Sequence, residues 1–391
     1  MKPDKPINIL TADLVIPDLI VRVQDSEKLQ KLVRHYKLEG VSKQALTDEQ
    51  FAEFSAVVKE MKAAGKLTVE PGGSSANVLV TLSKLLGKGK LNTKYLGIAG
   101  DDEYTEKAKT SFNEAGVELF PDPKTYQNNA PNPQSARSFV LLYEDGRRTI
   151  VTHPGNAKSI LKPYHITDDM VKDSDVVFVQ GSLWQKFDEK FPDKLVTQRW
   201  DNKHDKKELW LALPTHAKFG EENAKKFQWL IPSANLILGN MEELARIYQV
   251  SHNNPEALKK LQQTFNNEQH VLRDNGYTKG QVAFITLEDQ GAAIVTKDKI
   301  EFVNTRDIKP EEIINTLGAG DTAFAGFAAG YLKGLPHQTS AEIAMALANQ
   351  KLRHNGPRLN DPQEALKQSS PYLASLVLSD AKDRELVGSA R

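Results

Sequence analysis

The chain of 391 residues carries 51 basic and 51 acidic side chains, a formal net charge of +0, and 39% hydrophobic residues. That length suits two domains, or one large α/β unit with an insertion, and the hydrophobic share excludes disorder over the whole chain. Balanced charge supplies no broad field for nucleic acid or an anionic membrane. The absence of cysteine excludes disulfides, a thiol nucleophile, iron–sulfur clusters and cysteine-ligated zinc. The histidines are scattered with no HExxH pair, and no apolar run approaches the ~18 residues of a membrane span. The first ten residues, MKPDKPINIL, lack the apolar stretch of a signal peptide. A soluble cytoplasmic protein is expected, with its oligomeric state open.

In chain order, Ile7–Leu10 and Leu14–Val23 read as opening strands. Glu27–Met61 has charged residues at helical spacing and predicts two helices around a link at Gly40. Leu67–Val69 predicts a short strand ended by Pro71, Gly72 and Gly73. Ser74–Leu86 follows as a helix with a serine available for its N-cap. Lys94–Ala99, Asp175–Val179, Leu209–Leu213, Asn235–Leu238 and Val282–Thr286 read as buried strands, most of them followed by helical patterns. Ala292–Thr296 and Ile300–Val303 continue the last of these as strands. Ser135–Tyr143 and Arg148–Thr152 flank Glu144-Asp145-Gly146-Arg147, a hairpin signal that breaks the strand–helix rhythm. With Leu14–Val23 this hairpin is expected to form a small separate sheet. Tyr126–Pro133 reads as a polar, proline-bearing loop. The residues from Pro371 carry no recognisable partner.

Chemistry concentrates in Asn315-Thr316-Leu317-Gly318-Ala319-Gly320-Asp321-Thr322-Ala323-Phe324. Small residues Gly318, Ala319 and Gly320 at a helix start leave amide N–H groups open to an anion, which the helix dipole also favours. Asp321 in the first turn is explained either as a dipole complement or as a base that deprotonates an attacking hydroxyl beside that cradle. Gly318-x-Gly320-x-x-Ala323 also meets the loose dinucleotide fingerprint. Only Glu342, in a helix-like run, stands where that fingerprint expects an acid on the ribose. No GxxxxGK[ST] phosphate loop occurs.

The GAGD element resembles the signature of the ribokinase-like (PfkB) family of sugar and nucleoside kinases, and the resemblance extends over roughly residues 6 to 360. Gly72-Gly73-Ser74-Ser75-Ala76-Asn77 is similar to the family's first signature, where paired glycines and an asparagine face the acceptor. Asp18 stands where the family places a carboxylate for substrate hydroxyls. Ser135-Ala136-Arg137 through Asp145-Gly146-Arg147-Arg148-Thr149 resembles lid strands with a phosphate-facing arginine. Asn240 to Glu243 match the NxxE motif, which in the family organises magnesium and phosphate. Thr286 and Gly291 resemble nucleotide-side positions. Each also has a plainer explanation: a turn for Gly72 and Gly73, a solvated acid for Asp18, a helix cap for Glu243, a solvated hairpin charge for Arg148.

The resemblance implies a three-layer α/β/α ribokinase-like domain over residues 1–391, with a mostly parallel central sheet. It also implies a small β lid from about 14–50 and 134–153, and a tail at 371–391. The long insertion after Asp18, with His35-Tyr36-Lys37-Leu38-Glu39-Gly40 and Leu46-Thr47-Asp48, resembles the adenosine kinases. Asp13 and Asn315, with Pro154-Gly155 and Gly356-Pro357-Arg358-Leu359, look like the inosine–guanosine kinases, whereas Glu288 stands where glycine is usual. The implied activity is ATP- and Mg²⁺-dependent phosphorylation of a purine nucleoside at its 5′-hydroxyl. Asp321 would be the base, with Gly318, Ala319, Gly320 and Arg148 on the phosphoryl group. Asp18, Gly72, Gly73, Asn77 and Arg137 would face the acceptor. Asn240, Glu243, Thr286 and Gly291 would face the nucleotide, and Glu243 would hold the metal through water. A sugar kinase acting on ribose or another sugar is the alternative, and a non-catalytic nucleoside or nucleotide sensor the third.

Overall fold

Runs such as Val176–Gln180 (VVFVQ) and Glu208–Ala212 (ELWLA) are apolar almost throughout, which suits strands covered on both faces by helices. The computed structural model describes residues 5–41, 43–100, 102–120, 135–145, 147–155, 160–186, 189–197, 207–214, 220–251, 254–267, 281–305 and 308–379. The expected loop at Tyr126–Pro133 lies outside them, as does Gly146 of the hairpin turn.

Fourteen strands among the described residues run β1 (Ile7–Ala12), β2 (Pro17–Arg22), β3 (Lys43–Ala45), β4 (Thr68–Pro71), β5 (Leu91–Leu96), β6 (Val117–Phe120), β7 (Arg137–Leu142), β8 (Arg148–His153), β9 (Val176–Gln180), β10 (Glu208–Ala212), β11 (Leu236–Asn240), β12 (Val282–Thr286), β13 (Ala292–Thr296) and β14 (Ile300–Val303). Nine form one sheet in the order β14-β13-β12-β11-β10-β9-β1-β5-β6. It is parallel from β12 through β6, with β13 and β14 antiparallel at one edge. One face packs on helices Ser74–Leu86, Ala319–Leu332 and His337–Leu352 through residues such as Leu79, Phe327 and Leu347. The opposite face packs on helices Glu221–Leu230, Met241–Ile247 and Glu256–Asn266 through Phe227, Leu244 and Leu261. The expected three-layer, mostly parallel α/β architecture is therefore present. No helix among the described residues is long and apolar enough to cross a membrane.

The second sheet, β3-β8-β7-β2-β4, has its own core. Helices Glu27–His35 and Asp48–Ala63 cover it, with Leu29, Val33, Phe54 and Val58 packed on Leu19, Phe139 and Val151. Local signals begin both helices. Ser26 Oγ accepts the Leu29 N–H at 3.2 Å, and Thr47 and Gln50 form a reciprocal capping box. As the hairpin signal expects, β7 and β8 pair antiparallel, and Tyr143 N–H donates to the Arg147 carbonyl at 3.0 Å. The sheet also recruits β3 and β4, so it uses more of the chain than the hairpin and the opening strand alone.

Three details differ from the sequence reading. The Ser74–Leu86 helix is capped not by a serine but by Gly73, at φ 88°, with no side-chain cap bond. Most buried strands begin or end one to three residues from their expected limits, as in Leu91–Leu96 against 94–99. The segment from Pro371 is helical to Leu378 and buries Leu373, Ala374 and Val377 in the main core.

Candidate active site

Asn240 and Thr286 end the parallel strands β11 and β12, where open α/β sheets form their crevice, while the other site residues come from helix starts, the small sheet and a late loop. Asp321 lies in the first turn of the Ala319–Leu332 helix. Its Oδ2 accepts the Asn77 side-chain amide at 2.8 Å, and Ser74 supplies a further hydrogen bond. Burial raises the Asp321 pKa, and these hydrogen bonds with the charges of Lys43 and Arg358 oppose the shift. Asn77 is buried in the first turn of the Ser74–Leu86 helix, which packs against this one, and its Oδ1 accepts Arg358 Nε at 2.7 Å. The same guanidinium donates to Ser111 Oγ at 2.6 Å and to the Gly72 carbonyl at 3.3 Å. Burial pulls the Arg358 pKa down to about 10, with Asp18 and Asp321 among the charges that oppose the shift.

Asp18 stands on β2, 6% exposed, opposite Ser138 of β7 and Glu70 of β4. Burial pushes its pKa up to about 7. The Ser138 hydrogen bond and the Arg358 charge oppose that rise, while Asp321 adds to it. Gly72 is the reason Asp18 fits: a Cβ there would lie 2.4 Å from the Asp18 carboxyl group. Asp18, Gly72, Asn77, Arg358 and Asp321 thus form one electrostatic cluster drawn from the small sheet, two helices and a late loop. Gly73 enters through its backbone, as the helix N-cap.

The GAGD turn is shaped by close packing. Gly318 adopts φ +75°, and a Cβ on it would lie 1.9 Å from the Pro357 carbonyl oxygen, so no other residue fits without rebuilding the turn. Ala319 N–H makes only a long 3.4 Å contact with the Thr316 carbonyl, and the first-turn amides have no intrahelical acceptors. Arg148 Nη1, reaching over from β8, donates to Thr316 Oγ1. The small sheet therefore already touches the turn that precedes Asp321.

A cavity of about 620 Å³ adjoins this helix start, with Thr316, Ala319 and Gly320 at one end and Met345 and Ala348 on its apolar wall. Thr286, at the end of β12, lines it. So do Glu288, a non-glycine residue at φ 57° where glycine is usual, and Asn349. Asn349 Oδ1 accepts the Thr305 hydroxyl at 2.9 Å, whereas its buried Nδ2 has no acceptor among the described residues. Gly291 is not on this wall. Its place follows from packing, since a Cβ there would lie 2.0 Å from the Val303 carbonyl oxygen.

Asn240 and Glu243 form a reciprocal capping box. Asn240 Oδ1 accepts the Glu243 N–H at 2.9 Å, and Glu243 Oε2 accepts the Asn240 N–H at 3.1 Å. The capping explanation is thus real, yet Glu243 is buried, its pKa is pushed up to about 8, and it senses both Asp321 and Lys43. Among the described residues no three metal-ligating side chains cluster. Glu243 is a carboxylate that could help hold a divalent cation through water.

Arg137 stands apart from the cluster in its contacts. Its guanidinium lies over the rings of Phe51 and Tyr104 and pairs with Asp102 at 3.6 Å. Two residues with a clear place here had no assigned role in the sequence. Arg358 lies in the Gly356–Leu359 run, whose pattern carries no role for it, and Lys43, on the three-residue β3, has no local signal at all.

Over 323 residues the chain is 24% identical to an adenosine kinase of Saccharomyces cerevisiae, covering 80% of this chain and 86% of that one. It is 23% identical over 301 residues to a ribokinase of Arabidopsis thaliana, covering 76% and 71% respectively. A probable sugar kinase from Rhizobium etli CFN 42 shares the fold with a TM-score of 0.72 at 21% identity, covering 93% of this chain and 99% of the other. Residues 45–364 match the model of the pfkB family carbohydrate kinases, so the chain belongs to that family and is a phosphotransferase with an alcohol group as acceptor.

Proposed function

We propose that the chain transfers the γ-phosphoryl group of ATP to the 5′-hydroxyl of a purine nucleoside. The observation that carries this reading is the linked placement of Asp321 and Asp18 around Asn77 and Arg358. Asp321 takes the proton from the acceptor hydroxyl as its oxygen attacks the phosphorus, and its raised pKa makes it a stronger base than an exposed aspartate. The Gly318, Ala319 and Gly320 amides and the Arg148 guanidinium hold charge on the transferred group. Asp18 accepts hydrogen bonds from the ribose hydroxyls, assisted by Asn77.

The 620 Å³ cavity suits the donor nucleotide, with Thr286 beside it and the Asn349 amide offering a buried N–H to a ring nitrogen. Glu243 and Asn240 would hold Mg²⁺ through water. The ion, when bound, neutralises triphosphate charge. Arg137 is better explained as a brace within the small sheet than as an acceptor contact.

A nucleoside is favoured over a free sugar by the two helices, Glu27–His35 and Asp48–Ala63, that the chain inserts between β2 and β4, and by the likeness to an adenosine kinase. The sugar-kinase reading keeps one support, since Asp18, Gly72 and Asn77 address hydroxyls alone and a ribokinase is also similar. A coupled ADP-release assay with inosine, guanosine, adenosine, ribose and fructose decides. Turnover of a nucleoside supports the first reading, and turnover of free sugars alone replaces it with the second.

A further inference from the structure

Lys351 is an unusual lysine. It lies on the Ala319-facing helix His337–Leu352 and is 0% exposed. Its Nζ donates to the His354 carbonyl at 3.0 Å and contacts the Asn315 carbonyl at 3.5 Å, and no carboxylate among the described residues pairs with it. A methionine of similar length would fill such a position without the desolvation that a buried ammonium suffers. Burial and the nearby Arg148 charge indeed pull the lysine pKa down to about 8.

Its two acceptors belong to two segments that dock on each other. The Ile314 and Asn315 N–H groups donate to the Leu352 carbonyl at 2.8 and 3.2 Å, and Asn315 Oδ1 receives the Leu317 N–H at 2.7 Å. Three residues beyond Asn315, Gly318 rests against the Pro357 carbonyl. The Lys351 ammonium therefore sits at the seam between residues 313–318 and 352–357, directly behind the turn that starts the Asp321 helix.

We propose that Lys351 is a positioning residue for phosphoryl transfer: its buried ammonium clamps the Asn315 and His354 carbonyls and so sets the turn whose amides receive the transferred group. The proposal rests on the kinase reading of that turn. It predicts a loss in kcat with little change in acceptor KM, because Asp18 and Asn77 stand on other elements.

Two variants test it. Lys351→Met keeps the volume and removes the charge, and Lys351→Ala leaves a hole that an ammonium ion fits. Both should lose kcat by roughly 10²-fold, the effect of about 1 Å of misplacement at a reacting centre. Ammonium chloride, against choline chloride at equal ionic strength, should restore much of the kcat of Lys351→Ala and none of that of Lys351→Met. Without any substrate present, ammonium should also raise the melting temperature of Lys351→Ala and leave that of Lys351→Met unmoved. A folded variant with wild-type kcat, or a Lys351→Ala protein that responds to ammonium in neither readout, overturns the proposal. If the wild-type protein phosphorylates neither nucleosides nor sugars, the functional reading fails on its own while the melting response still reports on the clamp.

Discussion

Asn77 and Asp321 are 244 residues apart in the chain, and their side chains meet in a 2.8 Å hydrogen bond. Asn77 uses its amide nitrogen for Asp321 and its carbonyl oxygen for Arg358, so it fixes the carboxylate and the guanidinium in one arrangement. Asn77→Ala frees both. A hydrogen bond to a charged group contributes about 1.5–3 kcal/mol, so kcat/KM should fall roughly 10- to 100-fold in a folded protein. Steady-state kinetics on the best acceptor checks this, and an unchanged kcat/KM would remove Asn77 from the site.

Gly72 tests the placement of Asp18. Its missing side chain leaves the space that the Asp18 carboxyl group occupies, and a methyl group would come within 2.4 Å of it. Gly72→Ala should displace Asp18, raise acceptor KM by tenfold or more, by roughly the factor that 1.4 kcal/mol represents, and leave the KM for ATP near normal. Overpacking should also cost about 1–3 kcal/mol in a denaturant titration. A normal acceptor KM would show that Asp18 does not contact the acceptor.

Asp18 also makes stability depend on pH in a definite direction. Its pKa of about 7 in the fold exceeds the ~3.9 of an unfolded aspartate, so the folded state keeps a proton that the unfolded chain releases. The Asp18 contribution is therefore fully present below about pH 4 and is lost as pH rises through about 7. Asp18→Asn lacks this titration. Thermal melts from pH 5 to pH 8 should show the variant gaining on the wild type as pH rises, and a constant difference would contradict the buried, proton-binding Asp18.

Arg148 reports on the small sheet. Its guanidinium already bonds Thr316 beside the GAGD turn, and on the proposed reading that is where phosphoryl charge would develop. Arg148→Ala should lower kcat by roughly 10³-fold, the low end of what an arginine on a transferring phosphoryl group supplies. Its melting temperature should change little, because the only hydrogen bond of its guanidinium among the described residues is the one to Thr316. Single-turnover kinetics separates the chemical step from product release.

Local signals made much of this molecule legible. The limits of Ser74–Leu86, Val282–Thr286, Ala292–Thr296 and Ile300–Val303 follow from apolar periodicity closed off by glycine or charge. Asp321, Asn77, Asp18 and Glu243 stand out because each sits in a short pattern of small residues, turns or caps. Arg358, Lys43 and Lys351 do not, because their places come from long-range packing and charge, which no sequence period encodes. Lys351 follows Asn349 and Gln350 on a helix and reads as a surface cation until the fold buries it. The Gly73 cap was hidden for a related reason: two serines follow it, but the positive φ at the turn admits glycine best. β3 was missed because three residues, two of them polar, carry too little alternation to register.

Asp321→Asn tests the central claim most directly, since it keeps the size and polarity of the side chain and removes its basicity. If Asp321 is the base, kcat with the best acceptor should fall by roughly 10²–10⁴-fold, the contribution of a positioned acid–base group, while acceptor KM changes far less. A dipole complement alone would instead lose about 0.3–1 kcal/mol of stability and leave kcat near normal. The decisive measurement is kcat of the purified, folded variant beside the wild type. A loss in the stated range is the predicted result, and a near-normal kcat would contradict the assignment of Asp321 as the base.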